Sequence, residues 1–268
     1  MKLFKKIRRI ILVVNIVYTV MFIVGFILLL GEAGIIEIGD TSVSNSDSDF
    51  SITITDPKVK EVMTKSDSEV WSELTGGLLT SKPSEKLPSN ASEIEQAVNK
   101  KMTDIIIPIR QWEDSSDDTN LNTKQGETTI TVNSFLKEFW MAFFNDLYTK
   151  CPKFVISSVG CFRIDGVGYG QVGYKSAHTY GAAVDINPYD EGNPYGSTAP
   201  YTKSEWEKLP ENHLKYQIIY SDSPMAQLAK AYTLDWGGTW PRGTYDIMHF
   251  SFIADYQTRA DWIQSSNS

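Results

Sequence analysis

The chain has three histidines, His178, His213 and His249, and two of them stand in patterned surroundings. His178 lies in Ser176-Ala177-His178-Thr179-Tyr180-Gly181-Ala182-Ala183-Val184-Asp185. His249 lies in Asp246-Ile247-Met248-His249-Phe250, downstream of Trp236-Gly237-Gly238-Thr239-Trp240. Gly181 marks a turn, and the small, apolar run after it reads as a strand ending in Asp185, so a loop histidine and a strand aspartate converge on one point. A second histidine, His249, from a neighbouring strand completes a mixed nitrogen/oxygen set suited to Zn²⁺. Three protein ligands leave the fourth position for water, which is the catalytic arrangement and not the closed structural one. His213 has no such setting and reads as an ordinary satisfied histidine. Ser176 reads as hydrogen-bonding support for the ligand loop and not as a nucleophile, since no independent base is placed for it.

These residues need a scaffold, and the density of apolar and aromatic residues rises near Met102. Ile105–Ile109 and Thr128–Val132 read as strands. Ser134 is the expected cap of an amphipathic helix over Phe135–Tyr148, with Phe139, Trp140, Phe143, Phe144 and Leu147 on its apolar side. Phe154–Ser158, Ala182–Ile186 and His249–Ile253 are further predicted strands. Pro224–Tyr232 is a predicted helix, and a short helix is expected at the C-terminus. The expected fold class is α+β: a small antiparallel or mixed sheet with flanking helices carrying the zinc site, over residues 102–268. Trp236 and Trp240 fit either a core or the wall of a substrate groove. Tyr169, Tyr174 and Tyr180 are weaker candidates for lining the site.

A net charge of −8 argues against nucleic acid as a partner. The charge is uneven: Lys2, Lys5, Lys6, Arg8 and Arg9 put +5 into the first nine residues, leaving −13 for the rest. Ile10–Leu30 is free of charge, and as a helix it would span roughly 31 Å, the thickness of a bilayer's hydrocarbon core. The basic cluster before it is expected to stay in the cytoplasm, sending the rest of the chain outside. The run is long for a cleaved signal, and Gly31-Glu32-Ala33-Gly34 is a poor cleavage site. Hence residues 1–9 read as a cytoplasmic tail, 10–30 as a single-pass membrane anchor, and 31–101 as an acidic, polar tether. Within the last, residues 58–100 fit either a small accessory unit or more linker. Cys151 and Cys161 fit either one bridge between neighbouring strands or two unpaired thiols.

The SxHxxGxAxD pattern at Ser176, His178, Gly181, Ala183 and Asp185, followed by Asp246 and His249, resembles the M15 family of zinc peptidases. That family includes D-alanyl-D-alanine carboxypeptidases and L-alanyl-D-glutamate endopeptidases. The resemblance spans roughly residues 130–255. It implies that His178, Asp185 and His249 ligate zinc and that Asp246 takes the place of the catalytic carboxylate. A carboxylate three residues before a strand ligand can reach the attacking water without ligating the metal, taking its proton and returning it to the leaving amine. Arg163, in Cys161-Phe162-Arg163, resembles the family's upstream arginine, which holds a substrate carboxylate or steadies the oxyanion. Aspartate at 246, the Trp-Gly-Gly turn and DxxHF are similar to the endopeptidase branch. The implied substrates are peptidoglycan stem peptides, which an extracytoplasmic enzyme on an acidic spacer would face. A D,D-carboxypeptidase is the alternative within the family. A zinc-containing wall-binding module without turnover is the alternative of another class, though a binder does not need Asp246.

Overall fold

Ile105, Ile107 and Ile109 are buried while Ile106 between them is exposed, so the backbone they build is a strand with one buried face. The computed structural model describes residues 52–83, 88–162, 176–188 and 193–254. The chain divides into Met1–Asp49 and Phe50–Ser268, and every described residue belongs to the second unit. The cytoplasmic tail, the membrane anchor and the C-terminal helix of the sequence reading lie outside the described residues, as do Arg163, Tyr169 and Tyr174. Among the described residues no helix is long and apolar enough to cross a membrane.

Strand β1 (Met102–Trp112) pairs antiparallel with β2 (Thr123–Asn133), from Met102 opposite Asn133 to Trp112 opposite Thr123. Both predicted strands lie within this ribbon. Its buried face meets the helix Lys137–Lys150, in which Phe139, Trp140, Phe143, Phe144 and Leu147 are all buried, as their spacing predicts. Their rings meet edge to face, the orientation favoured by aromatic quadrupoles. Phe139 lies 5.6 Å from Tyr232 and Phe143 lies 5.3 Å from Phe144. The cap differs from expectation by one residue. Asn133 accepts from the Phe135 amide and starts a 3-10 turn, Ser134–Leu136, that runs into the helix.

Three helices precede the ribbon: α1 (Pro57–Thr64), α2 (Asp67–Thr75) and α3 (Ala91–Lys100). Their Val59, Val70, Trp71, Leu74, Ile94 and Val98 join the same hydrophobic core as the aromatic helix, here α4. The part of the expected tether that falls among the described residues is therefore not spacer. Helical spacing around Val59–Leu74 matches α1 and α2, whereas α3 goes unmarked because it buries only Ile94 and Val98 and its remainder is mostly polar. Sequence signals for the ends of α2 are also present. Ser66 and Glu69 form a reciprocal capping box, and Gly76 closes α2 in the left-handed conformation.

The remaining strands are short and, like the ribbon, antiparallel. β3 (Val159–Gly160), β4 (Ala183–Ile186), β8 (His249–Ser251) and β6 (Asp235–Trp236) form one sheet in that spatial order. β5 (Tyr195–Gly196) pairs with β7 (Tyr245–Asp246). Helices α5 (Lys203–Glu207) and α6 (Pro224–Ala231) lie in the connections. The strand predicted at Phe154–Ser158 does not form. Val155 donates its amide to the Tyr216 carbonyl and Ile156 to that of Arg110, so the segment's bonds go to separate partners and make no ladder.

Candidate metal centre

The register of the four-stranded sheet does most of the positioning. Asp185 of β4 stands directly opposite His249 of β8, and Gly160 of β3 flanks Asp185 on its other side. Directly paired residues project to the same face, so the carboxylate and the imidazole emerge side by side. Val184, Phe250 and Trp236 form the adjacent row across the same strands and face the core, where Trp236 stacks on Phe250 with 7° between the planes. His178 arrives from the 3-10 turn Ala177–Tyr180, which Gly181 closes at φ +61. A Cβ on Gly181 would fall 2.5 Å from the Asn133 nitrogen. Glycine is thus required there by both backbone angle and space.

The three side chains meet in a triangle. His178 Nε2 lies 3.0 Å from Asp185 Oδ1 and 3.1 Å from His249 Nδ1, and His249 Nδ1 lies 3.1 Å from Asp185 Oδ1. All three residues are buried, and they are a group among the described residues whose donor atoms are close enough to share one ion. Zinc bonds of about 2.0–2.1 Å imply a tetrahedral edge of roughly 3.3 Å, and the observed sides are a few tenths shorter. Two imidazoles and one carboxylate are also the donor set of catalytic zinc sites, so the residues fit that ion.

The surroundings prepare these atoms for ligation. His178 Nδ1 lies 3.0 Å from the Cys161 carbonyl, which accepts its proton and leaves Nε2 with its lone pair toward the triangle. The Cys161–Phe162 segment is itself fixed to β2, since Phe162 donates to the Thr131 carbonyl. Burial alone would raise the Asp185 pKa. With both imidazoles protonated in place of a metal ion, their hydrogen bonds to the carboxylate and their positive charge outweigh it and hold the carboxyl below the usual carboxylate range. The carboxylate is therefore ionised, the form a metal ligand requires.

Asp246 sits on β7, opposite Tyr195 of β5, three residues before His249. It is half-buried, with Oδ1 shielded from solvent. The Trp-Gly-Gly turn has a steric reason beside it: a Cβ on Gly237 would come 2.1 Å from the Asp246 carbonyl oxygen, and one on Gly238 would strike the Trp236 ring. The two tryptophans take different roles. Trp236 is core and donates from Nε1 to the Ile247 carbonyl at 2.8 Å. Trp240 is partly buried, its ring 5.2 Å from that of His249, with Nε1 bonded to Asp235 Oδ1.

Other expected residues sit elsewhere. Tyr180 is fully buried against Trp71, ring centroids 5.0 Å apart, and so belongs to the core and not to the site's lining. The Ser176 side chain makes no capping bond to the ligand turn; its carbonyl accepts from Thr179 instead. His213 is an ordinary buried histidine, stacked on Trp112 at 4.0 Å with Nε2 2.9 Å from the Asn120 carbonyl. Cys151 and Cys161 form no bridge with each other, and Cys161 Sγ accepts from the Thr131 amide at 3.2 Å.

Sequence reasoning missed three buried asparagines, Asn133, Asn187 and Asn193. Asn187, two residues after Asp185, has φ +53, accepts from the Ser157 amide and donates to the Val155 and Gln217 carbonyls. Its signal was the Asn187-Pro188 pair, a turn marker whose asparagine tolerates left-handed backbone.

A family model of M15 peptidases, described as D-alanyl-D-alanine carboxypeptidase, matches residues 170–252. That stretch contains all three residues of the triangle and Asp246. The match supports a metallopeptidase enzyme. No curated protein and no solved structure matches the chain. The M15-type segment begins after β3, so the ribbon, α4 and the three N-terminal helices lie outside it.

Proposed function

We propose that the chain is a membrane-anchored, extracytoplasmic zinc peptidase that cleaves peptidoglycan stem peptides, of the L-Ala-D-Glu endopeptidase type. The observation that carries the reading is the buried triangle of His178 Nε2, Asp185 Oδ1 and His249 Nδ1 inside the M15-matched stretch. When bound there, zinc supplies a Lewis acid and lowers the pKa of water toward ~7. The chain's own residues do the rest. Asp185 contributes the anionic ligand, and the Cys161 carbonyl keeps His178 in the tautomer that offers Nε2. Asp246 takes a proton from the attacking water and returns it to the leaving amine. Arg163 holds a substrate carboxylate through its guanidinium fork. The uncharged run Ile10–Leu30 after a basic cluster supports the anchor, and the acidic stretch that follows supports a position on the wall side.

The description of the matching family model favours a second reading, removal of the terminal D-alanine. Aspartate at 246 within DxxHF and the Trp-Gly-Gly turn favour the endopeptidase. Mass spectrometry of purified muropeptides incubated with the full chain in detergent, wild type beside Asp246→Ala, each with and without chelator, separates them. Release of the stem from L-alanine onward supports the endopeptidase, and loss of one alanine supports the carboxypeptidase. If zinc is bound but every muropeptide survives the wild type, hydrolysis of peptidoglycan is refuted and a wall-binding module takes its place.

A further inference from the structure

Asn133 lies outside the M15-matched stretch, yet it is bonded on every side to what surrounds the ligand turn. Its Oδ1 accepts from the Phe135 amide at 3.1 Å, which caps the entry to α4. Its Nδ2 donates to the Leu74 carbonyl at 3.1 Å, near the end of α2, and to the Tyr180 carbonyl at 3.3 Å, the last residue of the turn that carries His178. Its backbone amide donates to the Gly181 carbonyl at 3.1 Å, and the amide of Ser134 donates to Lys101 at the end of α3. The residue is wholly buried. The turn rests directly on this junction: the missing Cβ of Gly181 would meet the Asn133 nitrogen at 2.5 Å and the Val132 carbonyl carbon at 3.0 Å. Trp71 presses on the same turn from α2, edge-on to the Tyr180 ring.

We propose that Asn133 is a positioning residue for the metal centre, locking the His178 turn to α2 and to the start of α4, so that His178 Nε2 is held in register with the Asp185–His249 pair. This rests on reading His178, Asp185 and His249 as a zinc site. A 3-10 turn of four residues has too few internal bonds to fix a side chain within a few tenths of an ångström. The sheet register fixes Asp185 and His249, and it does not reach His178. Asparagine suits the junction because one side chain supplies an acceptor for the cap and two donors for carbonyls of separate segments.

The test is zinc affinity of the full chain in detergent, by competition with a colorimetric chelator, together with the visible spectrum of the Co²⁺-loaded protein, which reports ligand geometry. Asn133→Ser keeps a capping hydroxyl for Phe135 and removes the amide that reaches Leu74 and Tyr180. It is expected to lower zinc affinity about tenfold and to alter the Co²⁺ spectrum. Ile109→Ala is the control for stability alone: it stands seven residues along the ribbon, about 23 Å away at ~3.3 Å per residue, and should lower Tm with no change in affinity or spectrum. If wild type binds zinc and Asn133→Ser binds it equally tightly, or if Ile109→Ala loses as much affinity, Asn133 is a structural joint and no more. If Asn133→Ser does not fold, Trp71→Leu, which leaves Asn133 in place and frees the turn from the other side, is read by the same criteria. Wild type that takes up no zinc at all overturns the metal reading itself, and this inference with it.

Discussion

Residues 102–150 fold into two eleven-residue strands and a fourteen-residue helix, whereas the described residues between 159 and 251 form strands of two to four residues, 3-10 turns and the short helices α5 and α6. The first region is held by apolar burial: isoleucines on one face of the ribbon against five buried side chains of α4. The second has few ladder bonds to spend on its own order. Side-chain amides take their place, with Asn187 and Asn193 both bonded to the Gln217 carbonyl and Asn193 also accepting from Ile219. Glycines that admit backbone within 2–3 Å of where a Cβ would stand complete the packing. The candidate chemistry sits in the region of short elements, and the long elements serve as its bench. Irregular backbone lets ligands converge from a turn and two strands, at the cost of needing specific polar contacts to define them.

Experiments at four positions probe that division. The largest effect should come from Asp185→Ala, which removes the ligand shared by both histidines. Bound zinc, measured by elemental analysis, is expected to fall from one per chain to near zero and turnover to background, with the far-UV circular dichroism of the long elements kept. Collapse of that signal would show that the two regions are one cooperative unit. Phe143→Ala empties the centre of the aromatic cluster and should cost about 3–5 kcal/mol in denaturant unfolding. Its folded fraction should still bind one zinc. Asn187→Ala strips buried hydrogen bonds and forces alanine to φ +53, for an expected loss of about 2–3 kcal/mol. Asn187→Gly should recover roughly 1 kcal/mol of it, the share due to backbone.

The effect that is smallest at neutral pH is a pH dependence, which grows in alkali. Burial, helped by the nearby Asp146 charge and opposed by Lys150, pushes the Cys151 thiol up to about 12. A thiol that ionises more readily when unfolded, near ~8.5, contributes stability below that pH and loses it as pH rises toward about 12. Thermal melts from pH 8 to 11 should therefore decline more steeply for wild type than for Cys151→Ala. In the folded wild type at pH 8, Cys151 should resist a thiol reagent until denaturant is added.

Legibility in the sequence followed the same division. Phe139, Trp140, Phe143, Phe144 and Leu147 announce α4 because a helix longer than three turns repeats its period. The His178, Asp185 and His249 set was legible for another reason: rare residue types at fixed offsets, without any need to know the strands around them. Phe154–Ser158 misled because a short apolar run has no period to tell a strand from a buried loop. Helical spacing over Val59–Leu74 showed α1 and α2, with Ser66–Glu69 and Gly76 marking the ends of α2, whereas α3 was obscured by its polar outer face. Asn133 was invisible as a junction, since its partners Leu74 and Tyr180 lie 59 and 47 residues away in the chain.

Asp246 and His249 are three residues apart but are paired into different sheets, one with Tyr195 and the other with Asp185. Substitutions that bear on Asp246 and those that bear on the triangle therefore act on largely separate sets of neighbours. Substitutions at positions 195–196 or 245–246 would disturb the placement of Asp246 while sparing the triangle of His178, Asp185 and His249. Under the proposed function, a few substitutions around Asp246 would turn the enzyme into a protein that keeps the buried triangle but no longer cuts.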